Sequence, residues 1–424
     1  MKKLFLPGLL LLAGFGFAQD NGNKDIPVFS LEKCIEIALA NNPNLGAAQS
    51  NLLGARARVW ESAANFWPSV SASGAYGRSM QELTIPADVF NYSNSARAGL
   101  NANWSIFTFG QDYYSFKAQK YNYTSAGFDY QNTVNTTVFN VKQAYYNLIY
   151  AIKSADVFQT SVEQYQSQLA SAQSFYKVGI RPKIDVTNAE VNLNTAKLNL
   201  ITGKNAVMVA YATLNNLLGL TNPGTYRVDD NLTFEPYSIT MDTAMGNAFQ
   251  NRPDYLSAKA RTESARYSLN AQKSNYLPDI GVNASYGLSG TRGLNYQNGS
   301  VGINASWTLF DGLSKEMRYK EAKASYQSYQ YLEEASRQNI VMDVTQAYST
   351  LTQSGEAVPV AELNVTKAQE NLDLAIGRYK VGIGSSLEVT DAESSFSGAK
   401  LQYAQALTNY RIALAALLKA MGTK

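Results

Sequence analysis

Two copies of nearly the same hexapeptide, FYKVGI at 175–180 and RYKVGI at 378–383, determine how this chain is organised. The copies lie 203 positions apart (378 − 175), and the segments that follow them, RPKIDVTNAEVNLNTAKLNL and GSSLEVTDAESSFSGAKLQY, match at the same offset. Similarity at a fixed spacing indicates a tandem duplication. The upstream sequence repeats in the same way: VKQAYYNL (141–148) recurs as VTQAYSTL (344–351), and NANWSIF (101–107) as NASWTLF (304–310).

The duplication divides the 424-residue chain into four parts. Residues 1–18 are predicted to be a secretory signal peptide, because two lysines precede a short apolar run that ends in small residues. A membrane anchor is the alternative, but the run is shorter than the roughly 20 residues that a spanning helix needs. The first repeat covers 19–220, a linker rich in turn residues covers 221–240, and the second repeat covers 241–424.

The composition argues against several classes of function. The net charge of +3 is too small to indicate a nucleic-acid partner. The sequence contains no histidine and no glycine-rich phosphate loop, which excludes Ser-His-Asp and Cys-His nucleophiles and histidine metal sites. We therefore expect a protein that is not an enzyme, without catalytic residues, metal or cofactor, although catalysis by carboxylates alone stays open. Cys34, the single cysteine, lies in an apolar pattern and is expected to be buried.

Long helices are predicted in both repeats. Apolar residues recur with steps that alternate between four and three, which is the spacing of a coiled coil. The first long helix is predicted from about Gln111 to Lys177, a length of roughly 100 Å at 1.5 Å per residue. The pattern resumes after each VGI turn, so each repeat contains a long helix, a tight turn and a returning helix. Gly355 and Pro359 predict a bend in the second long helix, as a hinge or as a static kink.

Four other segments alternate apolar residues with small or polar ones, and this period of two is typical of β-strands. The segments lie near 66–77, 98–109, 276–288 and 300–310, and about ten residues is the length of a tilted strand that crosses a bilayer. A soluble hairpin with one wet face is the alternative. Four strands cannot close a membrane barrel and an open edge cannot face lipid, so strands in a membrane would require several chains to share one barrel.

The chain resembles the TolC-like outer-membrane efflux protein family over essentially its whole mature length. LEKCIEIALANNPNL (31–45) is similar to the family's opening helix, NFWPSV and NYLPDI to the starts of its strands, and the two YKVGI segments to its helical turns. The resemblance implies an α+β membrane protein: a homotrimeric 12-stranded β-barrel in outer-membrane lipid, continuous with a periplasmic α-helical coiled-coil barrel. It also implies a passive exit duct of a tripartite efflux pump or type I secretion system in a Gram-negative-type envelope. The implied partners are a periplasmic adaptor (membrane fusion) protein and an inner-membrane transporter.

The resemblance also assigns roles to residues near the turns. Glu388 and Asp391 match two acidic positions that narrow the pore. Asp185 matches an acid that, with Tyr379 and an arginine, holds the entrance shut. The candidate adaptor-docking tips are Val178, Gly179, Ile180, Val381, Gly382 and Ile383.

One position departs from the family pattern. Gly384 stands where the family has the gating arginine, and Arg181 occupies the equivalent place in the first repeat. We therefore expect Arg181 to supply the closing contact, to Glu388 or Asp391.

Simpler interpretations of the turns and of the chain stay open. The glycines of the two turns suit a left-handed position at a helix end, Pro182 suits the first turn of the next helix, and Ser385 with Glu388 reads as a capping box. These residues would then only stop and restart helices. A surface coiled-coil protein would explain the heptads, but it gives no reason for the paired strand segments. A periplasmic binding protein or enzyme is disfavoured by the absent histidine, and no cargo is predicted.

Overall fold

The computed structural model describes residues 26–83, 89–291 and 293–423, so the predicted signal peptide (1–18) lies outside the described residues. Two similar series of elements flank a short linker strand. The first series is β1 (Val28–Phe29), α1 (Leu31–Asn41), α2 (Pro43–Ala63), a 3-10 helix (Ala64–Phe66), β2 (Ser69–Leu83), β3 (Val89–Phe107), α3 (Gln111–Lys177) and α4 (Lys183–Leu218). The rest is β4 (Arg227–Val228), α5 (Met241–Asn251), α6 (Pro253–Ser274), β5 (Asp279–Gly290), β6 (Tyr296–Ser306), α7 (Ser314–Lys380) and α8 (Ser386–Ala420).

The two longest helices, α3 and α7, have 67 residues each, and α3 runs over the residues that the heptad pattern predicts. α3 packs along α4 and α7 along α8, and α3 also contacts α8. The apolar seam residues form the core, with Val141 and Leu148 of α3 packed against Leu214 of α4. Of the helices described, none is both long enough and apolar enough to span a lipid bilayer.

The linker packs against β1 and the middle of α3. β4 pairs in parallel with β1, and the Tyr145 hydroxyl of α3 lies 2.9 Å from Asp229 O and 3.2 Å from Phe29 O. Cys34 is fully buried in the same core, which confirms the expectation for it. Its burial, with a smaller contribution from Glu32, raises the pKa of the Cys34 thiol to about 11, so it stays protonated at neutral pH.

The predicted bend near Gly355 and Pro359 falls inside α7, which continues as one helix to Lys380. Pro359 has no N–H, so the Gly355 carbonyl lacks its usual helical donor. A Cβ at position 355 would lie 3.5 Å from the ring of Tyr410, whose hydroxyl donates a hydrogen bond to Glu235 O at 2.8 Å. This is an ordinary van der Waals distance, so the packing of α8 does not itself require glycine at position 355, and a hinge at this place stays a prediction.

The long strands form one antiparallel sheet in the order β2-β3-β5-β6. The register places apolar residues beside one another across it, as in Val70 opposite Ala102 and Ala284 opposite Val301. The opposite face carries mainly serine, asparagine and glycine. β2 begins later than predicted because Ala64–Phe66 form a 3-10 helix, and β3 ends at Phe107 because the chain turns through residues of positive φ at Phe109 and Gly110.

Candidate functional site

The repeated YKVGI segment closes each helical hairpin with the same backbone geometry. Gly179 has a left-handed φ of +77° and Gly382 one of +83°. In the first turn, Gly179 N donates to Tyr176 O and Ile180 N donates to Phe175 O, both at 3.0 Å. These two bonds define a Schellman motif, and the second turn repeats both. The backbone therefore satisfies the helix ends without help from the neighbouring aliphatic side chains.

Those aliphatic side chains are exposed at the ends of both hairpins. Their exposed fractions lie between 62 and 71%. They have no packing role within the described chain, since helix termination depends on the glycines and the backbone. The exposed set consists of Val178, Ile180, Val381 and Ile383.

Polar contacts hold the two turns of one chain together. Arg181 Nη2 donates a hydrogen bond to Gly384 O at 2.6 Å, and the Arg181 guanidinium carbon lies 5.3 Å from the centroid of the Tyr379 ring. Ser386 Oγ donates to Asp185 Oδ1 at 3.1 Å. Three of the predicted entrance residues, Arg181, Asp185 and Tyr379, are thus brought to one place, where they join the first hairpin to the second.

The structure explains why glycine stands at position 384. A Cβ there would lie 2.9 Å from both Arg378 Cβ and Tyr379 N, closer than real Cβ atoms come. Any other residue, including the arginine of the family pattern, would require the backbone of the turn to shift. The close approach leaves the Gly384 carbonyl as the acceptor for Arg181.

Within the described chain Arg181 forms no salt bridge with Glu388 or Asp391 and binds Gly384 O instead, so its closing contact to one of these acids stays a prediction. Glu388 instead accepts a hydrogen bond from Arg378 Nε at 3.2 Å, between side chains that are about half exposed. Ser385 Oγ accepts from Glu388 N at 3.2 Å, which confirms Ser385 as the helix cap. Arg378 was not among the predicted site residues, although the sequence carries a signal for it, since Arg378 stands where the first repeat has Phe175.

A buried acid that was not among the predicted site residues lies just beyond the constriction candidates. Glu393 is 3% exposed, and its burial raises the pKa of the carboxyl to about 7. Ser397 Oγ donates to it at 3.5 Å, and the Gln164 side-chain amide lies beside it when oriented to donate. Lys400 acts in the opposite direction and lowers the pKa. The repeat-equivalent residue Glu190 is exposed, so the local sequence carried no signal for this difference.

A cavity of about 230 Å³ separates α3 from α7 and α8 beneath the turns. The Tyr379 hydroxyl is buried there without a hydrogen-bond partner among the described residues. Burial, and then the charge of Asp185, raise the pKa of Tyr379. The lining residues are Gln164, Ser167, Gln168, Ser171, Phe175, Ile376, Tyr379, Lys380, Val389 and Glu393. The hairpins therefore meet over a space lined by both polar and apolar side chains, and Glu393 is one of them.

Apolar stripes run along the outer flanks of the helical layer. α4 presents Ile184, Val191 and Leu198, at intervals of seven residues, and all three are more than half exposed. α7 presents Val360 and Leu363, which are also more than half exposed. A heptad stripe that its own chain leaves uncovered is typical of a coiled-coil seam.

The fold is that of outer-membrane channels. The Campylobacter jejuni CmeC outer membrane channel superposes with a TM-score of 0.85 and 17% identity, over 92% of this chain and 85% of that one. The outer-membrane channel OprN gives 0.83 and 20%, over 93% and 90%.

The chain belongs to the outer membrane efflux protein family, whose model matches residues 34–220 and 244–423. It is 24% identical to outer membrane protein TolC of Escherichia coli (strain K12), over 100% of this chain and 87% of that protein. It is 21% identical to outer membrane efflux protein BepC of Brucella suis, over 91% and 83% respectively. The resemblance carried by the repeated turns is confirmed, and the protein is an outer-membrane exit channel for efflux and secretion that extends into the periplasm.

Proposed function

We propose that three copies of this chain form one duct, in which a shared 12-stranded β-barrel in outer-membrane lipid continues into a periplasmic helical barrel. Cargo would pass through it from an inner-membrane transporter by way of a periplasmic adaptor, in a tripartite efflux pump or type I secretion system. The relatives are named as channels and export proteins, which agrees with passive transport and not with enzymatic activity.

The two unpaired edges of the sheet are the observation that supports this proposal most strongly. β2 and β6 are its two edges, and each lacks a second strand partner within the described chain. Unpaired backbone groups cannot remain in hydrocarbon, so each edge must pair with another chain. One face of the sheet is apolar and the other polar, which suits an outer surface toward lipid and an inner surface toward water. The exposed apolar face includes Val70, Tyr76, Leu100, Val301 and Ile303.

The helices also favour contact with further copies of the chain, because apolar residues are exposed at both flanks of the helical layer. The exposed stripe that contains Val191 and Leu198 lies on α4, at one flank, and Val360 and Leu363 lie on α7, at the other. Within one chain, α4 is covered mainly by α3, and α7 by α8 and α6. Contact of α4 of one copy with α7 of the next would bury both stripes and continue the helical layer around a central axis.

The turns are proposed to form the periplasmic entrance. Glu388 and Asp391 are both exposed at the start of α8, and three copies would give an acidic constriction to which Asp185 adds. Tyr379 and Arg181 are proposed as gate residues, supported by their contact across the two hairpins. The four exposed aliphatic residues, with the glycines between them, are proposed as the adaptor-docking tips: Val178, Gly179, Ile180, Val381, Gly382 and Ile383.

The proposal is tested with the purified full-length protein in detergent. Native mass spectrometry is expected to give a trimer, and planar bilayers are expected to show discrete cation-selective openings. Replacement of both Glu388 and Asp391 by alanine should reduce the cation selectivity, because three copies of each charge are removed. A monomer without openings would contradict the duct. Openings of unchanged selectivity would leave the duct in place and remove the acidic constriction.

A further inference from the structure

The polar face of the sheet carries very little charge. Among the strand residues whose side chains are described (69–80, 92–107, 279–290 and 296–306), Arg97 and Asp279 are the charged residues on this face. Arg78 is the other charged strand residue, and the uninterrupted register of β2 places it on the apolar face. Arg97 is therefore the single basic group among these residues on the face assigned to the channel interior.

Arg97 lies at a defined level of the sheet. Its partner on β5 is Ser289, and Ser289 pairs with Tyr296 in the outermost pair of β5 and β6. This is the last level away from the helices at which all four strands are paired. Ten residues separate Arg97 from Phe107, the end of β3 beside the helices, or about 33 Å along the strand. A strand tilt of about 40° converts this to about 25 Å along the barrel axis, the height of the apolar band of such barrels.

The surroundings of Arg97 leave its guanidinium group accessible. Its cross-strand partners are Ala75 and Ser289, and the next residues on the same face of β3 are Ser95 and Gly99. All four side chains are small, and none is acidic. Arg97 is exposed and forms no salt bridge with the residues that the structure describes.

We propose that three copies of Arg97 form a ring of positive charge at the outer mouth of the barrel, which binds polyanionic solutes such as phosphates and carboxylates in transit. The inference rests on the proposed trimer. Twelve strands spaced about 4.8 Å apart and tilted about 40° place the backbone about 12 Å from the axis. Arginine extends inward from there, so its charge lies within about one Debye length, 8 Å at physiological salt, of any solute on the axis. Rings of arginine or lysine favour anions in other pores.

The proposed periplasmic constriction carries the opposite sign, through Glu388 and Asp391. The two ends of the duct would therefore act on different solutes. A probe added from one side separates their effects, since a polyanion added on the strand side meets Arg97 before it meets the acids.

The test is block of the planar-bilayer current by inorganic triphosphate added on the strand side. Block is expected in the wild type, and Arg97→Gln should raise the concentration for half-block by roughly tenfold or more, from the screened interaction of three charges with a polyanion. Arg97→Lys keeps the charge and should keep the block. Arg78→Gln is the matched control, because it removes an arginine from the neighbouring strand on the opposite face.

The possible outcomes distinguish the proposed Arg97 ring from the proposed duct. Block that weakens only in Arg97→Gln supports the ring. Openings with a block that does not depend on Arg97 overturn the ring and leave the duct intact. Equal loss of block in Arg78→Gln also overturns it, because the two faces would then not differ. Absence of openings in every variant, together with a monomer in native mass spectrometry, refutes the duct and the ring together.

Discussion

Replacement of Glu393 by glutamine should remove a pH dependence from the opening of the hairpin ends. Burial in the interface of α3 and α8 raises the pKa of this carboxyl from 4.5 to about 7. Separation of the helices would hydrate the group and return its pKa toward 4.5. The difference of about 2.5 units corresponds to about 3.4 kcal/mol between the closed and open states.

The sign of this pH dependence is set by the state, closed or open, in which Glu393 binds its proton more tightly. The closed state has the raised pKa, so the contribution of Glu393 to closure is fully present below pH 4.5 and is lost as the pH rises through about 7. With these two pKa values the opening equilibrium should rise roughly 70-fold between pH 5 and pH 8. The charged and titratable neighbours are Asp391 and Lys400 on the same helix, Tyr165 on α3, and Lys380 on α7 at the shared cavity.

Hydrogen–deuterium exchange of peptides that cover residues 386–400 measures this opening, after correction for the intrinsic pH dependence of exchange. Protection should fall with pH in the wild type and stay level in Glu393→Gln. Glu190→Gln is the matched control, since Glu190 occupies the same place in the first repeat but is exposed. A wild-type protection profile that does not change between pH 5 and pH 8, or one that Glu190→Gln alters as much, would refute the reasoning.

Two further predictions concern the turn and the core. Gly384→Ala should displace the second turn, because its Cβ would lie 2.9 Å from Arg378 Cβ and Tyr379 N, and this should break the hydrogen bond from Arg181 to the carbonyl of residue 384. Faster hydrogen–deuterium exchange in both hairpin ends would reveal the change. Unchanged exchange would show that the turn can relax around the added methyl group. Leu148→Ala removes a fully buried side chain and should lower the free energy of unfolding by about 2–5 kcal/mol, which a lower melting temperature would show. Leu39 is more exposed, so an equal loss of stability in Leu39→Ala would contradict a packing effect.

Some features of the fold could be predicted because they depend on local or periodic patterns. The heptad steps gave the bounds of α3, since a helix buries the same stripe along its whole length. The glycine positions of the two turns followed from the need for positive φ. The strand ends were less accurate, because Ala64–Phe66 continue as a 3-10 helix in a way that alternation does not indicate.

The candidate site was predicted in position but not in its pairings. Arg181 was expected to contact an acid, yet it binds Gly384 O, because the close approach of the second turn presents a carbonyl there. Glu388 pairs with Arg378, which lies ten residues earlier on the other helix of the hairpin. Such pairings depend on how a turn folds back, and residue type alone does not specify that.

The sequence by itself determined the duplication, the long paired helices and the strands with one apolar and one polar face. Each of these features depends on residues that recur at a fixed spacing along the chain. The tertiary structure alone decided which copy of a repeated residue is buried. Glu190 and Glu393 occupy the same place in matching motifs, but one remains in solvent and the other titrates near pH 7. The physical reason is that α3 crosses onto α8 and covers Glu393, and this removal from water is a property of the neighbouring helix rather than of the motif.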